Sequence, residues 1–175
     1  MTSPNRSTNF ESGIHYSPVE EASAREFLTW KYDPPYEIYN YAPENLDKDM
    51  AYTLAPKNNI HSMYRNDKLI GYCSFGRDAQ VPGGDYSEDA IDIGMMIKPE
   101  LTGQGMGSSY VASVIQHATN EYKPKKLRVT IMVSNLRARR VWEKNGFIMS
   151  QQFTGNMGDK GQSDFVILTK LISNT

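Results

Sequence analysis

The sequence lacks the residues and segments that define several protein classes. Its 175 residues include one cysteine, Cys73, and no apolar run approaches the roughly 20 residues of a membrane span. A single cysteine excludes an internal disulfide framework and agrees with a reducing compartment. His15, His61 and His117 show no metal-ligand spacing. We therefore expect a soluble cytoplasmic protein without a metal.

No broad field of one charge is present either. The net charge is −1, and both signs are interspersed along the chain. Such a distribution favours neither nucleic acid nor an anionic membrane as a partner. We expect a monomer or homodimer that acts on a small molecule or peptide.

The length suits one domain with a real core. Residues 1–9 are polar and show no periodicity, which predicts a loose tail before a single domain over residues 10–175. Ser17-Pro18-Val19-Glu20 predicts the start of a helix. Ile60–Arg65 and Leu69–Phe75 predict a β-hairpin around Asn66-Asp67-Lys68. Further strand and helix patterns predict a mixed α/β sandwich, with a central, mostly antiparallel mixed sheet and about four helices.

A glycine-rich turn stands between a predicted strand and a predicted helix. Gly103, Gly105 and Gly107 alternate with other residues at the helix start. Glycines there leave backbone N–H groups bare at the positive end of the helix dipole, where phosphate binds. A nucleotide P-loop would need Lys after the last glycine, but Ser108 follows. The spacing GxGxG also differs from the dinucleotide pattern GxGxxG, and a merely tight turn stays open as an alternative.

A second block follows from Val133 to Phe147, with Asn135 before a short helix and Trp142-Glu143-Lys144-Asn145-Gly146-Phe147 at its end. Together, in this order and spacing, the two blocks resemble the GNAT superfamily of N-acetyltransferases. The resemblance runs from about Asp89 to Phe147. It implies an acetyl-CoA-dependent N-acetyltransferase in which a bound primary amine attacks the acetyl group directly, in a ternary complex.

The resemblance implies a set of residues that contact acetyl-CoA. The pyrophosphate would lie on the glycine turn, the pantetheine arm would run beside the preceding strand, and the N–H of Met96 or its neighbour would face the thioester carbonyl. Asn135 has a second reading as a helix cap. The family usually has Arg or Gln where this chain has Thr102, so Lys98 or Arg137 would add charge. The expected contacts are Met95, Met96, Ile97, Thr102, Gly103, Gln104, Gly105, Met106, Gly107, Ser108, Asn135, Ala138 and Trp142.

The proton-transfer residues are less well matched. Asp92 stands where many family members have an acidic base, and its other reading is an ordinary polar strand residue. Trp142 replaces the tyrosine that the family places beside the CoA sulfur, and Ala138 occupies a position where some members have Ser. Indole cannot give up its proton near neutral pH. The alternative is therefore a non-catalytic acyl-CoA-binding or regulatory domain, and an enzyme using another acyl-CoA is a third possibility.

An aromatic segment near the N-terminus completes the expected site. The resemblance places it along one wall of the acceptor cleft, where it would bind the amine substrate. A proline-stiffened loop pinned to the core by its rings is the alternative. The predicted substrate contacts are Trp30, Tyr32, Tyr36 and Tyr39.

Overall fold

The computed structural model describes residues 7–9 and 13–173. In these residues, eight strands form one mixed sheet, and four α-helices connect some of the strands. The strands are β1 (Ser7–Asn9), β2 (Ile14–Pro18), β3 (Ile60–Arg65), β4 (Lys68–Phe75), β5 (Ile91–Ile97), β6 (Lys126–Met132), β7 (Ile148–Asn156) and β8 (Gln162–Leu171). The helices are α1 (Glu21–Phe27), α2 (Leu46–Leu54), α3 (Gly107–Tyr122) and α4 (Leu136–Lys144). This architecture confirms the predicted fold class.

The sheet changes character at its centre. Its strand order is β1-β2-β3-β4-β5-β6-β8-β7, and all neighbours are antiparallel except β5 and β6. That parallel ladder contains only the pairs Ile91↔Leu127 and Asp92↔Arg128. On their outer sides, β5 stays paired with β4 as far as Ile97, and β6 stays paired with β8 as far as Met132. The two central strands therefore separate after Asp92, and beyond that residue the inner edge of β5 has no strand partner among the described residues.

Two hydrophobic clusters cover opposite faces of the sheet. Tyr72 and Cys73 are neighbours on β4, so their side chains point to opposite faces. Cys73 belongs to the larger cluster, which includes Val114 of α3. Tyr72 belongs to the smaller one, which includes Phe27 of α1 and Met50 of α2. Among the residues that the structure describes, no helix is both long enough and apolar enough to cross a membrane.

The N-terminal part differs from the prediction. β2 continues through Pro18, which pairs with His61. Ser17 and Pro18, which were expected to begin a helix, are therefore part of the sheet. Helix α1 begins at Glu21 instead, where the Ser23 hydroxyl accepts from the Glu20 N–H at 3.2 Å and donates to its carbonyl at 3.0 Å. Of the predicted tail, residues 1–6 lie outside the described residues, whereas Ser7–Asn9 form β1 against β2.

The predicted hairpin is confirmed, with one adjustment. Asn66 and Asp67 both have positive φ, 50° and 58°, as a two-residue turn between twisted strands requires. Lys68, which was expected in the turn, is the first residue of β4 and pairs with Arg65.

Candidate active site

The gap between β5 and β6 opens into a cleft of about 760 Å³. Its floor consists of Ile93–Ile97 and Val129–Met132, the parts of the two strands that have separated. Its walls come from the glycine turn, α4, the N-terminal aromatic segment and two loops. At the two loops, these residues are Gln80, Val81 and Pro82 between β4 and β5, Asn156 at the end of β7, and Met157 and Lys160 between β7 and β8. The cleft therefore exists because the central ladder ends after two residue pairs.

The glycine turn forms one end of the cleft. Gly103 and Gly105 have φ of 72° and 77°, a region that side chains rarely adopt, and a Cβ built at either would meet nothing within 4 Å. The Thr102 hydroxyl donates to the Pro99 carbonyl at 2.7 Å, and the Gln104 amide donates to the Glu100 carbonyl at 2.7 Å. The first N–H groups of α3 have no partner within the helix, and no side chain of the described residues caps its start.

Most predicted turn residues line this end of the cleft. Thr102, Gly103, Gly105, Gly107 and Ser108 do so, whereas Gln104 and Met106 do not. The three glycines of the turn thus border the cleft together with Thr102 and Ser108 on either side of them, whereas the two residues between the glycines do not. A ligand at this end would meet the glycine backbone beside these two hydroxyl-bearing residues.

The free edge of β5 leads from the sheet to the turn. Met95, Met96 and Ile97 all line the cleft. Met96 is held from behind by the Tyr72 hydroxyl, which donates to its Sδ at 2.7 Å. The Ile97 carbonyl accepts from the Tyr32 hydroxyl at 2.7 Å, so the aromatic segment is fastened to this strand. An extended ligand with amide groups could pair with such an edge.

Helix α4 forms the facing wall. The Asn135 side chain accepts from the Ala138 N–H at 3.1 Å, as a helix cap does, and its amide donates to the Tyr39 hydroxyl at 3.0 Å. Ala138 and Trp142 line the cleft, and their contact with a cofactor stays a prediction. Trp142 is 5% exposed, and its ring meets Phe147 edge-on with centroids 4.9 Å apart.

Three of the four predicted aromatic contacts reach the cleft. Tyr32, Tyr36 and Tyr39 line it, and burial raises the pKa of Tyr32 and Tyr39 above the usual value. Trp30 does not line it. Its ring packs near Phe27, 6.1 Å between centroids, in the smaller core cluster. The alternative reading, a ring pinned to the core, thus describes Trp30.

Four cationic side chains line the cleft: Arg137, Arg140, Lys144 and Lys160. Along the described chain no aspartate, glutamate or histidine does so. Lys98, one of two residues expected to add charge near the turn, lies outside the cleft and pairs with Glu26 at 2.9 Å. The charged side chains that line the cleft are therefore all positive, although the chain as a whole is nearly neutral.

Comparison with known proteins assigns this chain to a family. A family model described as "Acetyltransferase (GNAT) domain" matches residues 9–148, which is most of the chain. The chain belongs to the GNAT acetyltransferase family. The free β5 edge and the glycine turn lie inside the matched region, so the residues that carried the resemblance in the sequence also build the cleft of this GNAT protein.

Individual relatives of this GNAT protein are distant. A spermine/spermidine N(1)-acetyltransferase of Bacillus subtilis (strain 168) is 24% identical over 104 residues. That match covers 59% of this chain and 66% of the relative, just under two thirds of its length. Two solved structures share the fold at low identity. A spermidine N-acetyltransferase SpeG chimera from Vibrio cholerae and hSSAT has a TM-score of 0.70 and 15% identity, covering 91% of this chain and 96% of its own.

The second solved structure is yncA, a putative acetyltransferase from Salmonella typhimurium with its cofactor acetyl-CoA. Its TM-score is 0.62 at 16% identity, with 93% of this chain and 96% of that chain covered. At such identities the two structures establish the shared fold of the GNAT protein and nothing about its substrate.

Asp92 lies in an environment that does not suit the predicted base. Its two carboxylate oxygens accept from Arg128 at 2.6 and 2.9 Å, and the Gln80 amide donates to it at 2.8 Å. Asp92 is 2% exposed and does not line the cleft. A carboxylate engaged on both oxygens by a guanidinium is a poor acceptor for a substrate proton. The pair joins β5 to β6 at their last paired residues, which is a structural position.

Sequence reasoning missed several residues of the GNAT cleft. Arg140 and Lys144 follow Arg137 at helical spacings of three and seven, and this pattern could have placed all three on one face of α4. Lys160 and Met157 lie in the β7–β8 loop, far away in sequence, and no local pattern brings that loop to the cleft. Over the described chain, no group of three or more His, Cys, Asp or Glu is arranged to hold a metal ion.

Proposed function

We propose that this GNAT protein is an acetyl-CoA-dependent N-acetyltransferase that acetylates a primary amine by direct attack in a ternary complex. The observation that carries the proposal is the continuous path formed by the free edge of β5 and the glycine turn. The edge offers backbone groups to the amides of the pantetheine arm. The turn offers bare N–H groups to the pyrophosphate.

The cations of α4 fit the charge of CoA. Asn145, next to the end of α4, donates to the Ser108 hydroxyl at 3.1 Å, so this end of the helix lies beside the start of α3. Lys144 and, one turn earlier, Arg140 stand on the cleft side near the turn. We expect them to bind CoA phosphates. The N–H of Met96 or of its neighbour, whichever of the two points to the free edge of β5, would face the thioester oxygen.

The cleft offers no conventional general base. Since no carboxylate or imidazole of the described residues lines it, the amine would enter uncharged or lose its proton to water. Bound acetyl-CoA supplies a thioester that an uncharged amine can attack. We then expect kcat/KM to rise with pH up to the acceptor's own amine pKa, and that inflection to move from one acceptor to another.

Two other candidates have an observation behind them. A non-catalytic acyl-CoA-binding domain is favoured by Trp142 at the family's tyrosine position and by the engaged Asp92 carboxylate. A polyamine acceptor is suggested by the names of the curated relatives. The binding-domain candidate predicts that acetyl-CoA is bound but not turned over.

Release of free CoA thiol over a panel of amines and acyl-CoAs tests the proposal. Amine-dependent release is the expected result, with acetyl-CoA as a competent donor. Binding of acetyl-CoA without release on any amine would favour the binding-domain candidate. An inflection of kcat/KM fixed near neutral pH for every acceptor would reveal an enzymic base that the cleft does not show.

A further inference from the structure

The end of the cleft away from Lys144 holds a cation on an aromatic ring. The Arg137 guanidinium carbon lies 4.0 Å from the centroid of the Tyr36 ring. No carboxylate among the described residues forms a salt bridge with Arg137. Stacking occupies one face of the guanidinium plane, while its N–H donors lie in the plane and remain able to bind an anion. Arg137 is thus oriented but not neutralised.

Lys160 reaches the same place from another loop. Its Nζ donates to the carbonyls of Ile38 and Asn40, the latter at 2.9 Å. These carbonyls belong to the aromatic segment that also carries Tyr36. An ammonium has three donors, so one remains after these two bonds. Burial lowers the pKa of Lys160. The nearby charge of Asp49 raises this pKa, and that of Lys31 lowers it further. No carboxylate of the described residues forms a salt bridge with Lys160.

These two cations are separate from the ones beside the glycine turn. Arg137 is near the start of α4, one residue beyond Leu136, and Asn135 before it bonds to Tyr39 of the aromatic wall. Lys144 is at the other end of α4, beside Asn145 and the start of α3. The CoA phosphates would occupy the latter end, which would leave the part of the cleft lined by Arg137 and Lys160 to the acceptor.

We infer that the acceptor carries a negatively charged group, a carboxylate or a phosphate, beside its amine, and that Arg137 and Lys160 bind this group. The inference rests on the proposed acetyltransferase function. A polyamine would instead bring several ammonium groups to a cleft that has cations and, within the described part of the chain, no carboxylate. Such like charges repel each other in a desolvated site. In this proposal the tyrosines of the aromatic segment form one wall of the acceptor site, and Arg137 and Lys160 favour an acceptor that carries a negative charge.

Matched acceptors test the charge preference directly. The pairs are an α-amino acid with its amide, and phosphoethanolamine with ethanolamine, with spermidine as a polycation. We expect the anionic member of each pair to have a kcat/KM roughly tenfold or more higher, mainly through KM. The amide has the less basic amine and is intrinsically easier to deprotonate, so a preference for the acid cannot come from amine reactivity. The two pairs distinguish a carboxylate from a phosphate.

Variants locate the preference. Arg137→Ala and Lys160→Gln are each expected to raise the KM of the anionic acceptor about tenfold and the KM of its neutral partner much less, since the neutral partner has no charge for the cation to bind. Lys160→Glu is expected to reverse the preference toward the amide and spermidine. Arg139→Ala is the matched control, since Arg139 pairs with Glu143 at 2.8 Å outside the cleft. Circular dichroism checks folding, and calorimetric titration of acceptors into CoA-saturated protein measures binding without reaction.

The outcomes separate the two claims. Tighter calorimetric binding and faster turnover of anionic acceptors, both weakened by Arg137→Ala and Lys160→Gln but not by Arg139→Ala, support the inference. Preference for spermidine or for the neutral partners overturns the inference and leaves the proposed function standing. Acetyl-CoA binding without thiol release on any acceptor overturns the proposed function, and the inference with it.

Discussion

Replacing Asp92 distinguishes a structural carboxylate from a general base. The side chains of Asp92 and Arg128 are 3% and 4% exposed, so the ion pair is almost completely desolvated. Asp92→Asn keeps the shape but leaves the guanidinium charge buried without its partner. Breaking a buried pair in this way costs about 3–5 kcal/mol of unfolding free energy. Since each kcal/mol lowers Tm by about 2–4 °C in a chain of this size, we expect a fall of roughly 6–20 °C.

Denaturant unfolding of a double-mutant cycle measures the pair. Arg128→Met removes the other partner, and the double variant should lose less stability than the sum of the two single changes. Asp89→Ala, on an exposed residue of the preceding loop, is the control and should stay within about 0.5 kcal/mol of wild type. In the folded fraction, we expect kcat/KM of Asp92→Asn to keep the wild-type pH dependence.

A different pattern would refute this reasoning. If Asp92→Asn had wild-type stability but about 100-fold lower kcat/KM, recovered at high pH, then Asp92 would be the base that the sequence predicted. The structural account would also fail if the double variant lost the full sum of the single effects.

Three further predictions follow from other parts of the structure. Acetyl-CoA at 100 times its Kd should stabilise the protein by about 2.7 kcal/mol, which is measured as a rise in Tm. Gly105→Ala should abolish this rise. Gly13→Ala, also at positive φ but away from the cleft, should retain it. Burial, with His61 nearby, lowers the pKa of His117 to about 4, so the unfolded state binds the proton first as pH falls below about 6.5. The free energy of unfolding, measured in urea, should therefore fall by roughly 3 kcal/mol between about pH 6.5 and about pH 4, and by much less in His117→Phe. Equal pH dependence in the two proteins would refute this. Trp142→Phe should cost about 1–3 kcal/mol yet retain most turnover, whereas lost turnover with intact folding would give the indole N–H a chemical role.

The fold could be predicted where local patterns and tertiary pairing agree. The helix that became α3 has apolar residues at regular helical spacing, and the hairpin of β3 and β4 has the residues that its turn requires. The start of α1 was misplaced because Ser17 and Pro18 satisfy a helix-start pattern but pair with β3 instead. Such pairing depends on residues more than 40 positions away, which a local pattern cannot contain.

The candidate site was predictable in its backbone and less so in its side chains. The glycine turn and Asn135 both line the cleft, and consecutive residues determine the local structure of each. Asp92 was expected to act as a base, but its environment depends on Arg128, which the sequence did not connect with it. Lys160 reaches the cleft only through the folding of β7 and β8. The cytoplasmic location, the single domain and the monomer or homodimer remain predictions.

The most direct test of the central claim is mass spectrometry of a reaction with acetyl-CoA and an amine whose kinetics are saturable. We predict an acetyl group on the amine nitrogen, formed in equal amount to the released CoA thiol, with no acetylated protein in samples quenched before the first turnover is complete. Thiol release without N-acetylated product, or an acetyl group trapped on the protein before it reaches the amine, would contradict direct transfer in a ternary complex.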